Sequence, residues 1–308
     1  MQDYASRLTV TVVIPAYNEQ VNIARTVRGV LDEPWTSELV LERVIVVDDC
    51  SADRTPALVT ELCREDGRVQ LLHHAERRGK NAGIRDAAMI SRSDVTAVMD
   101  ADILLTPQCL TQTIGLLLAR PSMMAASCII EPLPARTWRE RASRSQALGV
   151  AEVKCLGHGY LSVLYAIRAP AIGALNIPDG VADDAYITCW LRAHGHRYQV
   201  HPTATAYIRA ATGLRDFARQ TLRGRHGERV TTQAVSSTNP RPRPSGRRAA
   251  LVRALGRALL RDPFGFALYV LWYAIIVVTP KSMWLPAVSL STFDAARSTK
   301  DIAPDTPW

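Results

Sequence analysis

Short apolar runs alternate with stretches of helical period along much of this chain. Residues 10–15 are apolar and β-branched and predict a strand, followed by a turn at Pro15-Ala16-Tyr17-Asn18-Glu19. Val21, Ala24, Val27 and Leu31 then recur at helical spacing up to Pro34. Residues 44–47 are apolar at every position, the pattern of a strand buried on both faces of a parallel sheet. A helix over 55–64, a strand over 69–72, a helix over 81–90 and a strand over 95–99 follow. This alternation predicts a doubly wound, mostly parallel α/β sheet. Beyond it come a helix carrying Leu110, Ile114, Leu117 and Leu118, a strand over 125–130 and a polar, Arg-rich helix over 137–154. A strand over 160–167 and a helix over 186–193 complete the series.

The pattern then changes. Residues 231–246 have the Thr, Ser, Pro and Gly content of a flexible linker, which would separate a catalytic domain (1–230) from a C-terminal segment (247–308). In that segment Leu251, Leu255, Ala258 and Leu259 share one helical face and Arg253, Arg257 and Arg261 another, a basic amphipathic helix. Residues 264–279 carry no charge and lie between Pro263 and Pro280. That is short of the roughly 20 residues of a spanning helix, so a buried core helix is one reading. The neighbouring arginines and Trp272, Tyr273 and Trp284 favour a membrane-associating segment instead.

Charge sharpens this division. The 308-residue chain carries +8, but the stretch from Arg215 to Arg261 holds twelve arginines against Asp216 and Glu228. It therefore carries +10 and the remainder −2 of the +8 total. The basic stretch has no aromatic residue between Phe217 and Phe264 and runs into an apolar segment, so an anionic lipid surface is its expected partner rather than nucleic acid. No basic, apolar leader opens the sequence, which predicts a cytoplasmic start. Six dispersed cysteines without a C-x-x-C pair read as reduced thiols.

The strands end on chemistry. Asp48-Asp49 follows one apolar run and Asp100-Ala101-Asp102 another, and ligands of open α/β sheets bind at the carboxyl ends of strands. Two carboxylates one residue apart repel unless a cation separates them. Mg²⁺ and Mn²⁺ accept such a pair together with phosphate oxygens, so a metal site at Asp100 and Asp102 beside a phosphate-bearing ligand is expected. Asp183-Asp184 precedes a helix. Capping is one role for Asp183; general-base work in a cleft is the other. Gln220, Arg223 and Arg225 lie within six residues, and arginine suits bidentate diphosphate binding.

Together these residues resemble the family 2 inverting glycosyltransferases of GT-A fold, over roughly residues 9 to 229. Residues 13–19 resemble that family's opening strand and nucleotide-binding turn, placing Pro15, Tyr17 and Glu19 at the donor. Val46-Val47-Asp48-Asp49-Cys50-Ser51 is similar to its Asp-Asp-x-Ser motif, Arg78-Gly79-Lys80 to its Gly-Lys element, and Asp100-Ala101-Asp102 to its metal-binding Asp-x-Asp. Ala182-Asp183-Asp184 is similar to its Glu-Asp pair, whose second acid is the catalytic base; that position falls on Asp184. Gln220-Thr221-Leu222-Arg223-Gly224 resembles the Gln-x-x-Arg-Trp motif of the membrane-bound polysaccharide synthases, with Gly224 in place of the tryptophan beside the acceptor.

The resemblance implies an enzyme that takes a sugar from a nucleotide donor, UDP first and GDP next, and passes it with inversion to an acceptor hydroxyl. Asp184 is the expected base, Asp102 and Asp100 the metal ligands, and Asp48, Asp49, Lys80, Asp100, Gln220, Arg223 and Arg225 the further donor contacts. A chain with room for one or two membrane helices favours single-sugar transfer over a processive synthase. The position expected is the cytoplasmic face of the cell membrane, with a lipid-linked acceptor. A nucleotidyltransferase would need a Gly-rich loop after the first strand, where Pro15-Ala16-Tyr17-Asn18 stands. A non-catalytic nucleotide-sugar-binding scaffold would not need the intact acids.

Overall fold

The computed structural model describes residues 7–155, 160–236, 247–280 and 283–284. Its elements run β1 (Leu8–Ala16), α1 (Ile23–Leu31), β2 (Leu39–Asp48), α2 (Thr55–Glu65), β3 (Val69–His73), α3 (Lys80–Ile90), β4 (Val95–Met99), β5 (Ile103–Leu105) and α4 (Cys109–Ala119). They continue as β6 (Met123–Pro132), α5 (Glu140–Cys155), β7 (Leu164–Arg168), α6 (Ala169–Ala174), α7 (Asp183–Ala193), β8 (Arg197–Ile208), α8 (Leu214–Ser236), α9 (Arg247–Arg261) and α10 (Pro263–Val278).

One sheet carries the strand order β3-β2-β1-β4-β7-β6-β8-β5. Strands β3, β2, β1 and β4 are parallel. The unbroken apolar runs have the expected cause: successive residues serve opposite layers. Val44 and Val46 join a core with Val27 of α1, Val59 of α2 and Ile114 of α4, while Ile45 and Val47 join another with Ile84 of α3 and Ile187 of α7. The second half of the sheet is mixed. β7 runs antiparallel between β4 and β6, and β5 pairs antiparallel with β8 at the edge. Strand order reverses around β1, whose neighbours are β2 and β4, so a crevice opens at the carboxyl ends of these three.

The C-terminal helices pack on the sheet domain. Phe217 and Leu222 of α8, Ala142 of α5 and Trp272 and Ile276 of α10 form a separate small core. Arg141 makes a two-pronged ion pair with Asp262, whose carboxylate also accepts the Gly265 N–H at 2.9 Å and so caps α10. The apolar face read for α9 divides in the structure, Ala258 going inward and the leucines outward. Ala254 and Ala258 are its buried residues, whereas Leu251, Val252, Leu255, Leu259 and Leu260 are exposed. Small side chains permit close helix approach, and the leucine row is left pointing outward. Among the described residues no helix is long and apolar enough to cross a membrane. Helix α8 continues through Ser236, six residues into the expected linker; 237–246 lie outside the described residues.

Candidate active site

The turns after β1 and β2 are fastened to each other. Ser51 Oγ accepts the Asn18 N–H at 2.9 Å, Asn18 Oδ1 accepts the Ala52 N–H at 2.9 Å, and Thr55 Oγ1 accepts the Glu19 N–H at 2.8 Å. Asn18 and Cys50 adopt positive φ (53° and 61°), which turns both loops sharply at the strand ends. The two adjacent acids divide their work. Asp48 is fully buried, with Oδ2 2.8 Å from His73 Nδ1 and 3.2 Å from the Ser51 amide. Asp49 accepts the N–H groups of Arg78 (2.8 Å) and Gly79 (2.9 Å) and stands 3.1 Å from His74 Nδ1. It therefore shapes the loop that leads into Lys80. Above this loop the Arg77 guanidinium lies 3.9 Å from the Tyr17 ring centroid.

Helix α3 delivers Lys80 as its first residue. The helix sits close on β2 because Gly83 has no side chain; a Cβ there would come within 2.9 Å of Val47 Cγ1. Lys80 Nζ is 2.7 Å from Asp100, just past β4, and 3.1 Å from Asp183, the first residue of α7. Burial works to lower the Lys80 pKa, but Asp100 and Asp183 outweigh it and raise it above the ordinary lysine value. Asp183 also accepts the Tyr165 hydroxyl at 3.1 Å. Burial and the nearby Asp183, Asp184 and Asp100 carboxylates push the Tyr165 phenol well up, so the acids of β4 and α7 converge on one place. Ala182 holds the cap position of α7 and Asp183 makes no capping hydrogen bond, which sets the capping role aside. Asp184 is half-buried in the first turn, its Oδ1 accepting the Ala185 N–H at 2.8 Å, where the helix dipole favours a carboxylate. Arg25 of α1 faces Asp102; burial lowers its pKa and Asp102 opposes that.

A cleft of about 550 Å³ lies at these strand ends. Of the residues expected at the donor or metal it brings together Pro15, Tyr17, Glu19, Asp49, Lys80, Asp100, Asp102, Gln220 and Arg223. Asp48, Asp183 and Asp184, the last the expected base, are not among the residues that line it. Arg225 is turned away, its guanidinium 5.5 Å from the Tyr273 ring of α10. Arg77, Arg78 and Arg209 also line the cleft. Arg78 was legible as part of the Arg-Gly-Lys element, but single arginines such as Arg77 and Arg209 carry no spacing signal. Among the described residues no cluster of three or more His, Cys, Asp or Glu side chains is arranged to hold a metal. Asp100 and Asp102 on one wall fit a hard divalent ion that draws its remaining ligands from phosphate and water.

Residues 11–181 match the model of Glycosyl transferase family 2. A stretch of 109 residues is 40% identical to the succinoglycan biosynthesis protein ExoO of Rhizobium meliloti, covering 34% of this chain and 28% of that protein. Another of 101 residues is 36% identical to glycosyltransferase AglD of Haloferax volcanii, covering 32% and 16%. The matches thus span well under half the length of these curated relatives. Among solved structures, the mannosyltransferase PcManGT of Pyrobaculum calidifontis, in complex with GDP-Man and Mn²⁺, superposes with a TM-score of 0.59 at 21% identity, over 89% of this chain and 76% of that one. Glucosyl-3-phosphoglycerate synthase of Mycobacterium tuberculosis, with Mn²⁺, UDP and glucosyl-3-phosphoglycerate, gives 0.52 at 18% identity over 76% and 81%. At such identities the likeness is one of fold. The family match covers more than half of the chain, from the strand that opens the cleft to the turn before Asp183, and on it the chain belongs to glycosyl transferase family 2.

Proposed function

We propose that this protein transfers a single sugar from a nucleotide-sugar donor, UDP-linked in the first instance and GDP-linked in the second, to an acceptor hydroxyl with inversion. The observation that carries the reading is the convergence of Asp49, Asp100, Asp102 and Lys80 with Gln220 and Arg223 on one cleft at the carboxyl ends of β1, β2 and β4. Tyr17, Glu19 and the Asp49-ordered loop hold the nucleotide. Arg223 and Gln220 face its diphosphate from α8. Asp184 takes the acceptor proton as the acceptor oxygen bonds to the anomeric carbon and the bond to the diphosphate oxygen breaks. Asp102 and Asp100 would hold a divalent ion, Mg²⁺ or Mn²⁺, which when bound would supply positive charge at the departing diphosphate. Mn²⁺ beside the nucleotides of the two structural relatives supports this.

Gly224 stands where the resembling synthases carry the tryptophan beside the acceptor, and an added Cβ there would meet nothing within 4 Å. The exposed leucines of α9 and the arginine surplus support a seat on the anionic cytoplasmic face of a membrane, with a lipid-linked acceptor. The test is mass spectrometry of products from a panel of nucleotide sugars offered with cell lipid extract. One added sugar is expected, and NMR of that product should show the anomeric configuration inverted relative to the donor. A ladder of additions would point to a processive synthase, and nucleotide binding without any product to a scaffold.

A further inference from the structure

Lys80 stands at a junction between two elements that do not touch in sequence. Its ammonium lies 2.7 Å from Asp100 at the end of β4 and 3.1 Å from Asp183 at the start of α7. Asp183 is gripped on its other oxygen by Tyr165, at 3.1 Å. The lysine side chain is 18% exposed and that of Asp183 6%, so this is a sheltered cation between two carboxylates. Without it the acids would repel and pay for their desolvation unpaired. Asp100 is also one of the two carboxylates facing the cleft where the divalent ion is placed above. A single positive charge already holds an oxygen that the incoming ion would use.

We propose that Lys80 is a resident counter-cation of Asp100, which a divalent ion must displace, and that its second anchor on Asp183 couples this displacement to the acid pair of α7. The inference rests on the metal-assisted transferase reading. Before donor arrives, Lys80 holds Asp100 in place. As the ion enters with the nucleoside diphosphate, Lys80 gives up Asp100, stays tethered to Asp183, and turns its free N–H toward the diphosphate. Asp183, fixed between Lys80 and Tyr165, is a positioning residue that leaves the proton transfer to Asp184.

Mn²⁺ binding tests this, read from the free-ion EPR signal of the full chain with and without UDP. The proteins compared are wild type, Lys80→Met and Lys80→Gln; glutamine keeps a neutral hydrogen-bond donor at the site and guards against a folding failure of the methionine variant. Without UDP both variants should bind Mn²⁺ roughly 5- to 150-fold more tightly than wild type, the usual size of coupling between ligands. In chelator they should melt below wild type and recover when Mn²⁺ is added. Sugar transfer should fall even as ion affinity rises, a split that a ligand or folding role for Lys80 would not give. Unchanged or weaker Mn²⁺ binding in both variants would overturn the displacement and leave the transferase reading standing. Absence of Mn²⁺ binding in every protein, even with UDP, would overturn it as well. Transfer that persisted in chelator would then locate the failure in the metal and not in the transfer.

Discussion

At the scale of single residues, the two acids of α7 separate by environment. Asp183 is buried and bound on both oxygens, by Lys80 and Tyr165. Asp184 is half-buried in the first helical turn. A base needs to exchange its proton with an acceptor, so Asp184 suits the role and Asp183 does not. Asp184→Asn should keep nucleoside-diphosphate binding and lose transfer by roughly two to four decades, the usual size of a general-base effect. Isothermal titration with UDP and a single-turnover assay check the two halves; a tolerated Asp184→Asn beside a crippling Asp183→Asn would reverse the assignment. Asp48, Asp49, Asp100 and Asp102 were legible because strands rich in valine stop abruptly at carboxylates, and Asp183 and Asp184 because they stand between a Pro-Asp-Gly turn and a helix. The partners that make them a site were not. Arg25 on Asp102, Tyr165 on Asp183 and Arg77 on Tyr17 reach across 77, 18 and 60 residues of chain, and no local pattern announces such contacts.

Elements were legible in proportion to their regularity. β1, β2 and β4 are buried throughout their matched stretches and read directly from unbroken apolar runs. β8 was invisible: Arg-Tyr-Gln-Val-His-Pro-Thr-Ala-Thr-Ala-Tyr-Ile holds Pro202 in mid-strand, its pairing with β6 shifts register there, and only Ala204 and Ala206 are fully buried. β5 has three residues and α6 six, too few for any period to show. The element that the sequence placed apart from the catalytic domain, α10, is seated on α5 through Gly265, where a Cβ would stand 2.7 Å from the Arg141 carbonyl oxygen. Gly265→Ala should therefore lever α10 off α5. The Arg141 guanidinium, by hydrogen bonding, holds the Asp262 carboxyl below the usual carboxylate range. A depressed folded pKa gives stability that is present above the unfolded value near 3.9 and is lost as pH falls through the folded one. Asp262→Ala removes this dependence and the helix cap, the latter costing about 1 kcal/mol. Hydrogen exchange should report both variants as lost protection in α10 while β1, β2 and β4 keep theirs. Uniform loss across the sheet would mean that α10 belongs to the main folding unit.

For the whole molecule, the question is what covers the outward side of α9 and α10. Packing accounts for one side of each helix: Ala254 and Ala258, Trp272 and Ile276 are buried. The other side carries Leu251, Val252, Leu255, Leu259 and Leu260, and then Phe264, Val270, Leu271, Val277 and Val278, all exposed. Trp138, 55% exposed, and Phe264, 4.9 Å from the Arg141 guanidinium, add aromatic residues of the kind that settle at lipid headgroups. A soluble monomer rarely leaves so much aliphatic surface in one place. Among the described residues no helix is long and apolar enough to cross a membrane, and in the membrane seat proposed above the protein would lie in one leaflet, aliphatic side chains down and arginines at the phosphates. Two forces then act, and they separate experimentally. Each arginine near an anionic surface contributes about 1 kcal/mol, screened within a Debye length, whereas each fully buried leucine or valine contributes about 1.5–3 kcal/mol that salt does not weaken. The full chain should therefore stay with membranes through a high-salt wash and leave only in detergent. Replacing Leu255, Leu259 and Leu260 by glutamate should convert it to a salt-extractable protein, with nucleotide binding unaltered because these exposed side chains do not line the cleft. Recovery of the unaltered chain as a detergent-free monomer at physiological salt would show that the aliphatic side needs no lipid, and would remove the membrane from the proposed function without touching the transfer.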